Sequence, residues 1–316
     1  MGAFNAGVSP VTINQVMRGL QRRRANGEVS FADRICRRIG VPGISGKTFI
    51  EPSVISIEPD GLDAGLPHGT SVKRRGGGLE ELAFHLRMFK DLDEVPFADK
   101  IDGNAAGYDT VANRMAYSMA ITDMKLDLHL SRMLSNVDDD GNAAEYNRTF
   151  DMTADGGGQW NIETSKPLKA LKLMKREVGA IDTVVIGDLV VTELAGNAQF
   201  LGNAGFRIEA GEVQHTDVQR IIASKLGIPL ERVIIFDAYY RKGSGEGVNM
   251  ELQRLFDKGI WMGIGEDLVM FDLDPENPRA INEPNKVDEN VVVGYSRSAE
   301  IKRPHPELGI YSQAVA

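Results

Sequence analysis

Cysteine is nearly absent from this chain: Cys36 is the single one among 316 residues. That excludes an intrachain disulfide framework and fits a reducing compartment. A lone thiol between Ile35 and Arg37 reads as a small apolar filler before it reads as a nucleophile. The five histidines, His68, His85, His129, His215 and His305, are scattered, with no H-x-x-x-H spacing and no cysteine pair beside them, so neither a metal site nor a cofactor is implied. His129 sits near Asp127 and Arg132, which suits a surface hydrogen bond. There is no G-x-S-x-G elbow. No run approaches the ~20 apolar residues that a bilayer crossing needs. The opening M-G-A-F-N-A is expected to carry neither a secretory signal nor a myristoyl group, since it lacks a basic-then-apolar run and has no Ser or Thr at position 6. Positive charge is also short: 36 Lys and Arg stand against 45 Asp and Glu, a net −9 that argues against a dedicated nucleic-acid binder.

What is present is an ordinary globular composition, 42% hydrophobic and 26% charged, in a length that fits about two domains. The charge is uneven. Residues 1–40 hold seven arginines, Arg18, Arg22, Arg23, Arg24, Arg34, Arg37 and Arg38, against Glu28 and Asp33, a balance of about +5 that leaves about −14 for the remainder. A basic arm on an acidic body suits docking onto a second copy of that body; a solvated helix face and a short nucleic-acid tail are the alternatives.

Several stretches look like binding motifs and fall short. G-V-P-G-I-S-G-K-T at 40–48 ends like a phosphate loop, but G-x-x-x-x-G-K-[ST] would need glycine where Val41 stands. The preceding F-A-D-R-I-C-R-R is too charged for the buried parallel strand such a loop follows, and T-F-I-E-P after it reads as extended chain. A Gly/Pro/Ser turn leading into a strand is expected instead. G-S-G-E-G at 243–247 lacks the third glycine of a dinucleotide turn, having Val248, and reads as a hairpin loop. Asn136, Asp138, Asp140 and Gly141 begin like a calcium loop, yet Asn147 occupies the place of the bidentate carboxylate, so a polar helix-end turn is expected. Trp160 and Trp261 look like packing anchors.

Along the chain, a short helix around 11–24 is followed by a loosely alternating stretch from Thr48 to Pro59. Turn chemistry then covers 60–78, including Lys73, Arg74 and Arg75, and a second extended stretch runs from Leu79 to Phe89. Two strands with a Gly-rich tip make a long hairpin with too little apolar surface to stand alone. After Asp109, a good N-cap, Val111, Met115, Met119, Thr122, Leu126, Leu130 and Met133 recur at steps of four or three. That helix, over 110–135, is a rod about 40 Å long. From Gly156 short α and β units alternate. A helix is opened by Ser165 and Pro167, T-V-V-I-G at 183–187 is a buried strand, and the next helix ends at Gly196. A helix at T-D-V-Q-R-I-I-A-S-K-L, the strand R-V-I-I-F-D, and strands within 259–270 and 290–297 follow.

The order of these parts resembles the major capsid protein of tailed double-stranded DNA phages, the Hong Kong 97 fold family. S-F-A-D-R-I-C-R-R-I-G-V-P-G-I-S-G-K-T-F-I resembles that family's passage from arm to hairpin. Q-W-N-I-E-T-S-K-P-L-K-A-L is similar to its W-x-D…S-x-P helix opening, with Asn161 where an acid is usual. T-V-V-I-G-D-L-V-V-T-E-L resembles a strand–helix unit, V-Q-R-I-I-A-S-K-L-G-I the following helix, and I-W-M-G-I-G-E-D-L-V-M-F the returning strands, so the likeness covers most of 29–300. It implies an α+β fold with an N-terminal arm (1–45), an extended E-loop hairpin (46–90) and a P-domain (91–164) built on a spine helix (109–135). An α/β A-domain (165–265) and return strands with a C-terminal tail (266–316) complete the implied fold.

The resemblance further implies a structural subunit with no enzymatic activity and no cofactor. Such subunits build hexamers and pentamers that close into an icosahedral shell around double-stranded DNA, bound without sequence specificity. The implied partners are portal, scaffold and decoration proteins and no membrane, with assembly in the host cytoplasm and residence in the virion. Arg18, Arg22, Arg23, Arg24, Arg34, Arg37, Arg38, Lys73, Arg74 and Arg75 are the candidate contacts between copies. The body is expected to fold without residues 1–40. An encapsulin-type compartment and a nucleotide-dependent enzyme using 40–48 are the competing readings.

Overall fold

The computed structural model describes residues 30–50, 80–96, 110–153, 158–162, 165–204, 215–242, 251–273, 279–285 and 290–315. The expectations placed on 11–24, on the outer hairpin with Lys73, Arg74 and Arg75, on Asp109 and on the 243–247 loop lie outside these residues. The chain opens with α1 (Phe31–Ile35), β1 (Arg37–Gly40), β2 (Ser45–Ile50), β3 (Glu80–His85), β4 (Arg87–Pro96) and α2 (Thr110–Leu134). Next come β5 (Arg148–Thr149), α3 (Pro167–Val178), β6 (Thr183–Gly187), α4 (Asp188–Gly196), α5 (Ala198–Ala204), α6 (His215–Leu226) and β7 (Val233–Phe236). It closes with β8 (Tyr239–Lys242), β9 (Glu251–Arg254), β10 (Gly259–Gly263), β11 (Val269–Asp272), β12 (Arg279–Asn285), β13 (Asn290–Lys302) and β14 (Gly309–Gln313).

The 25 residues of α2 contain no Gly or Pro to interrupt them, and all seven residues of its apolar stripe are buried. The stripe serves two different partners. Val111, Met115 and Met119 pack with Val95, Val293 and Tyr295. Leu126, Leu130, Met133 and Leu134 join a second cluster with Val185, Ile234, Phe236 and Trp261. One rod therefore links two sheets.

The first sheet is organised by β13, whose 13 residues outrun every neighbour. β4 pairs antiparallel along one edge, from Asn290↔Pro96 to Ala299↔Arg87. The other edge is shared by β12 at its start and β11 at its end, with β1 lying parallel beside β11. The second sheet runs β5-β14-β10-β6-β7, and the parallel β6–β7 pair is connected through α4, α5 and α6. Both faces of this sheet are covered, as the continuous T-V-V-I-G run implies. Alternation sorts the side chains. Val184, Ile186, Ile260 and Met262 face the helices, while Val185, Trp261, Ile234 and Phe236 face α2. Gly187 ends β6 because a Cβ there would lie 2.2 Å from the carbonyl oxygen of Asp257.

Both tryptophans are buried, as expected of anchors. The expected polar turn ends α2: Asn136 adopts the left-handed conformation (φ 58°), and the Asp138 carboxylate accepts from the N–H groups of Asp140 and Asn142. Asn147 is the hub of this corner. Its Nδ2 donates to the Met133 carbonyl at 2.9 Å and to Asn136 Oδ1 at 3.0 Å, while its Oδ1 accepts from Trp261 Nε1 at 2.7 Å and from Arg303. Arg303 in turn lies 5.2 Å over the Trp261 ring, with Nε 3.3 Å from Asp267 Oδ2.

One local expectation is corrected and three hold in finer detail. Ser165 does not cap α3: Lys166 holds the N-cap position, Ser165 Oγ accepts from Asn197, and Gln199 Oε1 takes the Leu168 N–H. Arg37 and Arg38 enter no buried strand: β1 runs parallel to β11 but at a sheet edge, where both stay exposed. α4 ends at Gly196, and Asn197 beyond it is extended. The strands within 259–270 are β10 and β11, and the 3₁₀ turn Gly265–Asp267 between them moves the chain from one sheet to the other.

Replacing Asn147 by Ala leaves a helix-end carbonyl, an indole N–H and part of a guanidinium unpartnered in the interior. The expected loss is about 3 kcal/mol or more of stability, read from the denaturant midpoint; a loss under ~1 kcal/mol would remove Asn147 from this role.

Candidate functional site

Residues 30–50 carry all three candidate contacts that fall among the described residues, Arg34, Arg37 and Arg38, and the segment seats in three ways. The first is apolar. Phe31, Ala32, Ile35 and Cys36 are buried in the cluster that also holds α2 and the second sheet, with Phe31 stacked on Phe236 at 4.4 Å. Burial first, and then the nearby carboxylates of Asp33 and Asp127, pushes the Cys36 thiol up, so it stays protonated and unreactive at neutral pH. The expectation that the body folds without residues 1–40 is therefore corrected: α1 belongs to the core, and β1 is an edge strand of the first sheet.

The second is ionic. Arg297, 8% exposed, grips Asp33 with two nitrogens (2.8 and 3.2 Å) and Asp272 through Nε and Nη2 (2.9 and 2.7 Å), with Asp123 at 3.9 Å. Arg38 closes on the other side of Asp33 at 2.6 Å. Burial opposes charge on Arg297, yet the hydrogen bonds and charges of Asp33 and Asp272 outweigh it and raise its pKa. The arm helix, β11, β13 and α2 are thereby tied at one guanidinium.

The third is a carboxylate at a helix start. Asp127 of α2 accepts the Ala32 N–H at 2.9 Å, while Ser30 Oγ caps Asp33 N at 3.0 Å. Burial lifts the Asp127 pKa from 3.8 to about 7; hydrogen bonds from Ala32 and Phe31 pull the other way, and the like charges of Asp123 and Asp33 add to the rise.

Of the ten candidate contacts, Arg18, Arg22, Arg23, Arg24, Lys73, Arg74 and Arg75 lie outside the described residues. Arg38 is turned inward onto Asp33. Arg34 and Arg37 line a groove of about 520 Å³ together with Ile35, Cys36, Arg232, Gly265 and Glu266. Arg232 was not among the expected contacts: a lone Arg between Glu231 and Val233 carries no pattern. Arg297 was legible in principle, since it shares strand parity with the buried Val293, Tyr295, Ala299 and Ile301.

Beyond Gly40 the chain turns and enters β2, which pairs with β3 from Ser45↔His85 to Ile50↔Glu80. No helix starts at Lys47, whose ammonium pairs with Glu81 on the neighbouring strand, so the phosphate-loop geometry is not formed. The hairpin base is anchored by Phe84, stacked on Phe271 at 5.3 Å. Two apolar residues beside it are bare: Ile44, in the bend before β2, is 58% exposed, and Phe49, on the face opposite Phe84, 61%. Elsewhere, His129 Nδ1 lies 2.8 Å from Asp139 Oδ1 and is half-buried rather than on the surface. Burial, then Arg87 and Arg132, holds its pKa down to about 4, so it is neutral at pH 7. Among the described residues no group of His, Cys, Asp or Glu is arranged to hold a metal ion.

No family model matches the sequence, and no curated protein matches it. Solved structures do resemble it. A phage-related protein from Bordetella bronchiseptica superposes with a TM-score of 0.62 at 12% identity, covering 97% of each chain. A virus-like particle from Pyrococcus furiosus gives 0.55 at 10% identity, covering 95% of this chain and 98% of the other. The capsid of an empty GTA particle gives 0.51 at 10%, covering 91% and 90%. At these identities the likeness is one of fold, and the fold is the Hong Kong 97-like capsid type that the order of motifs implied.

Asp127 makes the arm junction pH-dependent. With its pKa raised in the folded state, the protein gains nothing from this group above pH 7 and is relieved of its buried charge as the pH falls towards 4. Asp127→Asn keeps an acceptor for Ala32 without the charge. It is expected to match the parent near pH 4 and to exceed it by on the order of 2 kcal/mol at pH 8, measured by denaturation at both pH values. Equal stability at pH 8 would contradict this account.

Proposed function

We propose that the chain is the major capsid protein of a tailed phage, a structural subunit that self-assembles into hexamers and pentamers and closes an icosahedral shell around double-stranded DNA. The observation that carries the reading is the β2–β3 ribbon. Its base is fixed to the body through Phe84, yet Ile44 and Phe49 find no cover among the described residues. Two strands cannot bury such residues by themselves, whereas a neighbouring copy offers an apolar surface at every repeat. The fold shared with a virus-like particle and a GTA capsid supports the same reading. In it, residues 1–45 act as arm, 46–90 as E-loop, 91–164 with 266–316 as P-domain and tail, and 165–265 as A-domain. Assembly takes place in the host cytoplasm, with portal, scaffold and decoration proteins as partners, and the role is structural rather than catalytic.

Purified protein examined by electron microscopy should show closed shells or capsomers. A chain that stays monomeric at high concentration, alone and with phage partners, would overturn the proposal. Nuclease-treated particles holding an enzyme and no phage DNA would replace it with the compartment reading. Two variants probe the protrusions. Phe49→Asp should change the subunit's own stability by less than ~0.5 kcal/mol yet abolish shells. Deleting residues 1–28, which spares α1 and its ion pairs, should leave a folded chain that no longer closes particles; normal particles from either variant would refute the role given to that protrusion.

A further inference from the structure

We propose that the groove between α1, β1 and the Gly265–Asp267 turn receives carboxylates, and that its occupant is an acidic segment of a neighbouring copy of this chain. The inference rests on the shell-forming reading and adds to it a specific contact. Three arginines from three different elements line the groove: Arg34 of α1, Arg37 of β1 and Arg232 of the 3₁₀ turn Leu230–Arg232. One carboxylate, Glu266, shares it. The structural arginines of the same region are neutralised from within, Arg38 by Asp33 and Arg297 by Asp33 and Asp272. No carboxylate among the described residues lies within ion-pair distance of Arg34, Arg37 or Arg232. Arginines gathered in one groove with no carboxylate partner among the described residues repel one another, and an entering acid relieves that repulsion.

The groove is built on fixed elements. The Arg34 guanidinium rests 5.2 Å over the Phe31 ring, and Phe31 is itself stacked on Phe236. β1 is held to β11 on one side, and Arg297 anchors the helix before it. Gly265 lets the turn pack closely beside Arg232, since a Cβ there would meet Thr183 Oγ1 at 2.6 Å and Arg232 Nη1 at 3.4 Å. Because β1 pairs with β11 alone among the described strands, an extended segment lying in the groove also finds main-chain groups to bond.

Charge selects the occupant. The whole chain has 45 acidic against 36 basic residues, so a sister copy brings excess carboxylate to any contact. A nucleic-acid backbone is the weaker fit, because Glu266 would face a continuous row of phosphates, whereas discrete carboxylates can engage one arginine each.

The test uses the full chain with Arg37→Glu and Arg232→Glu combined, beside the charge-conserving Arg37→Lys with Arg232→Lys. The reversal variant should melt like the parent while the concentration needed for half-assembly rises about tenfold, and the lysine pair should recover most of that loss. Affinity of the unassembled chain for a labelled DNA duplex should not change. Unaltered assembly of the reversal variant would overturn the proposal, as would lost duplex binding with intact assembly, which would assign the groove to nucleic acid. Should the reversal variant fail to fold, a deca-glutamate peptide added to the parent chain decides. It must suppress assembly beyond sodium chloride of equal ionic strength, and an equal effect of the two refutes the groove. A parent chain that never assembles is a different result, one that removes the shell-forming reading itself.

Discussion

A guanidinium in a protein interior must be surrounded by acceptors, and the position of Arg297 follows from that requirement. It sits on the inward parity of β13, where neighbouring positions hold Val293, Tyr295 and Ala299, and its charge is balanced only because Asp33 and Asp272 arrive from α1 and β11. Removing one partner of such a group typically costs about 3–5 kcal/mol, because the remaining charge is left buried. The cluster therefore fixes where the arm may sit. It cannot slide along the sheet without exposing Arg297 to an unpaired interior, and α1 in turn fills the apolar space between Phe236 and α2.

The same physics that seats α1 leaves other parts unseated. Phe84 is buried against Phe271, while Phe49 and Ile44 nearby stay bare. Folding satisfies the inner end of the ribbon, and its outer face needs a second surface. The arginines divide in the same way: Arg38 and Arg297 are consumed by internal acids, whereas Arg34, Arg37 and Arg232 meet none among the described residues. A chain that keeps unsatisfied apolar and cationic surface on rigid supports is suited to repeated association with its own kind.

Stability and association meet at α2. Its first half belongs to one sheet and its second half to the other, and Asn147 closes the end of the rod by bonding helix carbonyls, the Trp261 indole and Arg303 together. Asp127, one turn into the second half, carries the arm's first N–H groups on a carboxylate whose burial resists ionisation. Strain at the arm therefore reaches both sheets through one helix.

Periodicity alone determined the spine helix, its buried stripe, the buried strand at 183–187 and the paired strands at the base of the hairpin, because step sizes of 3.6 and 2 residues are local properties of the backbone. Failed spacings disposed of the phosphate and dinucleotide motifs just as locally. Tertiary structure decided the rest. The charged stretch 37–40 became a strand because an edge was open beside β11. Ser165 lost the cap to Lys166 because Asn197, just past α4, engages its hydroxyl and Gln199 of α5 takes the Leu168 N–H. Asn147, which occupies the closing position of an incomplete calcium pattern, became the hub of the corner. Whether the buried Arg297 is balanced depends in part on an acid 264 residues away, Asp33. Pairing across such distances is set by how elements pack, and no local pattern in the chain records it.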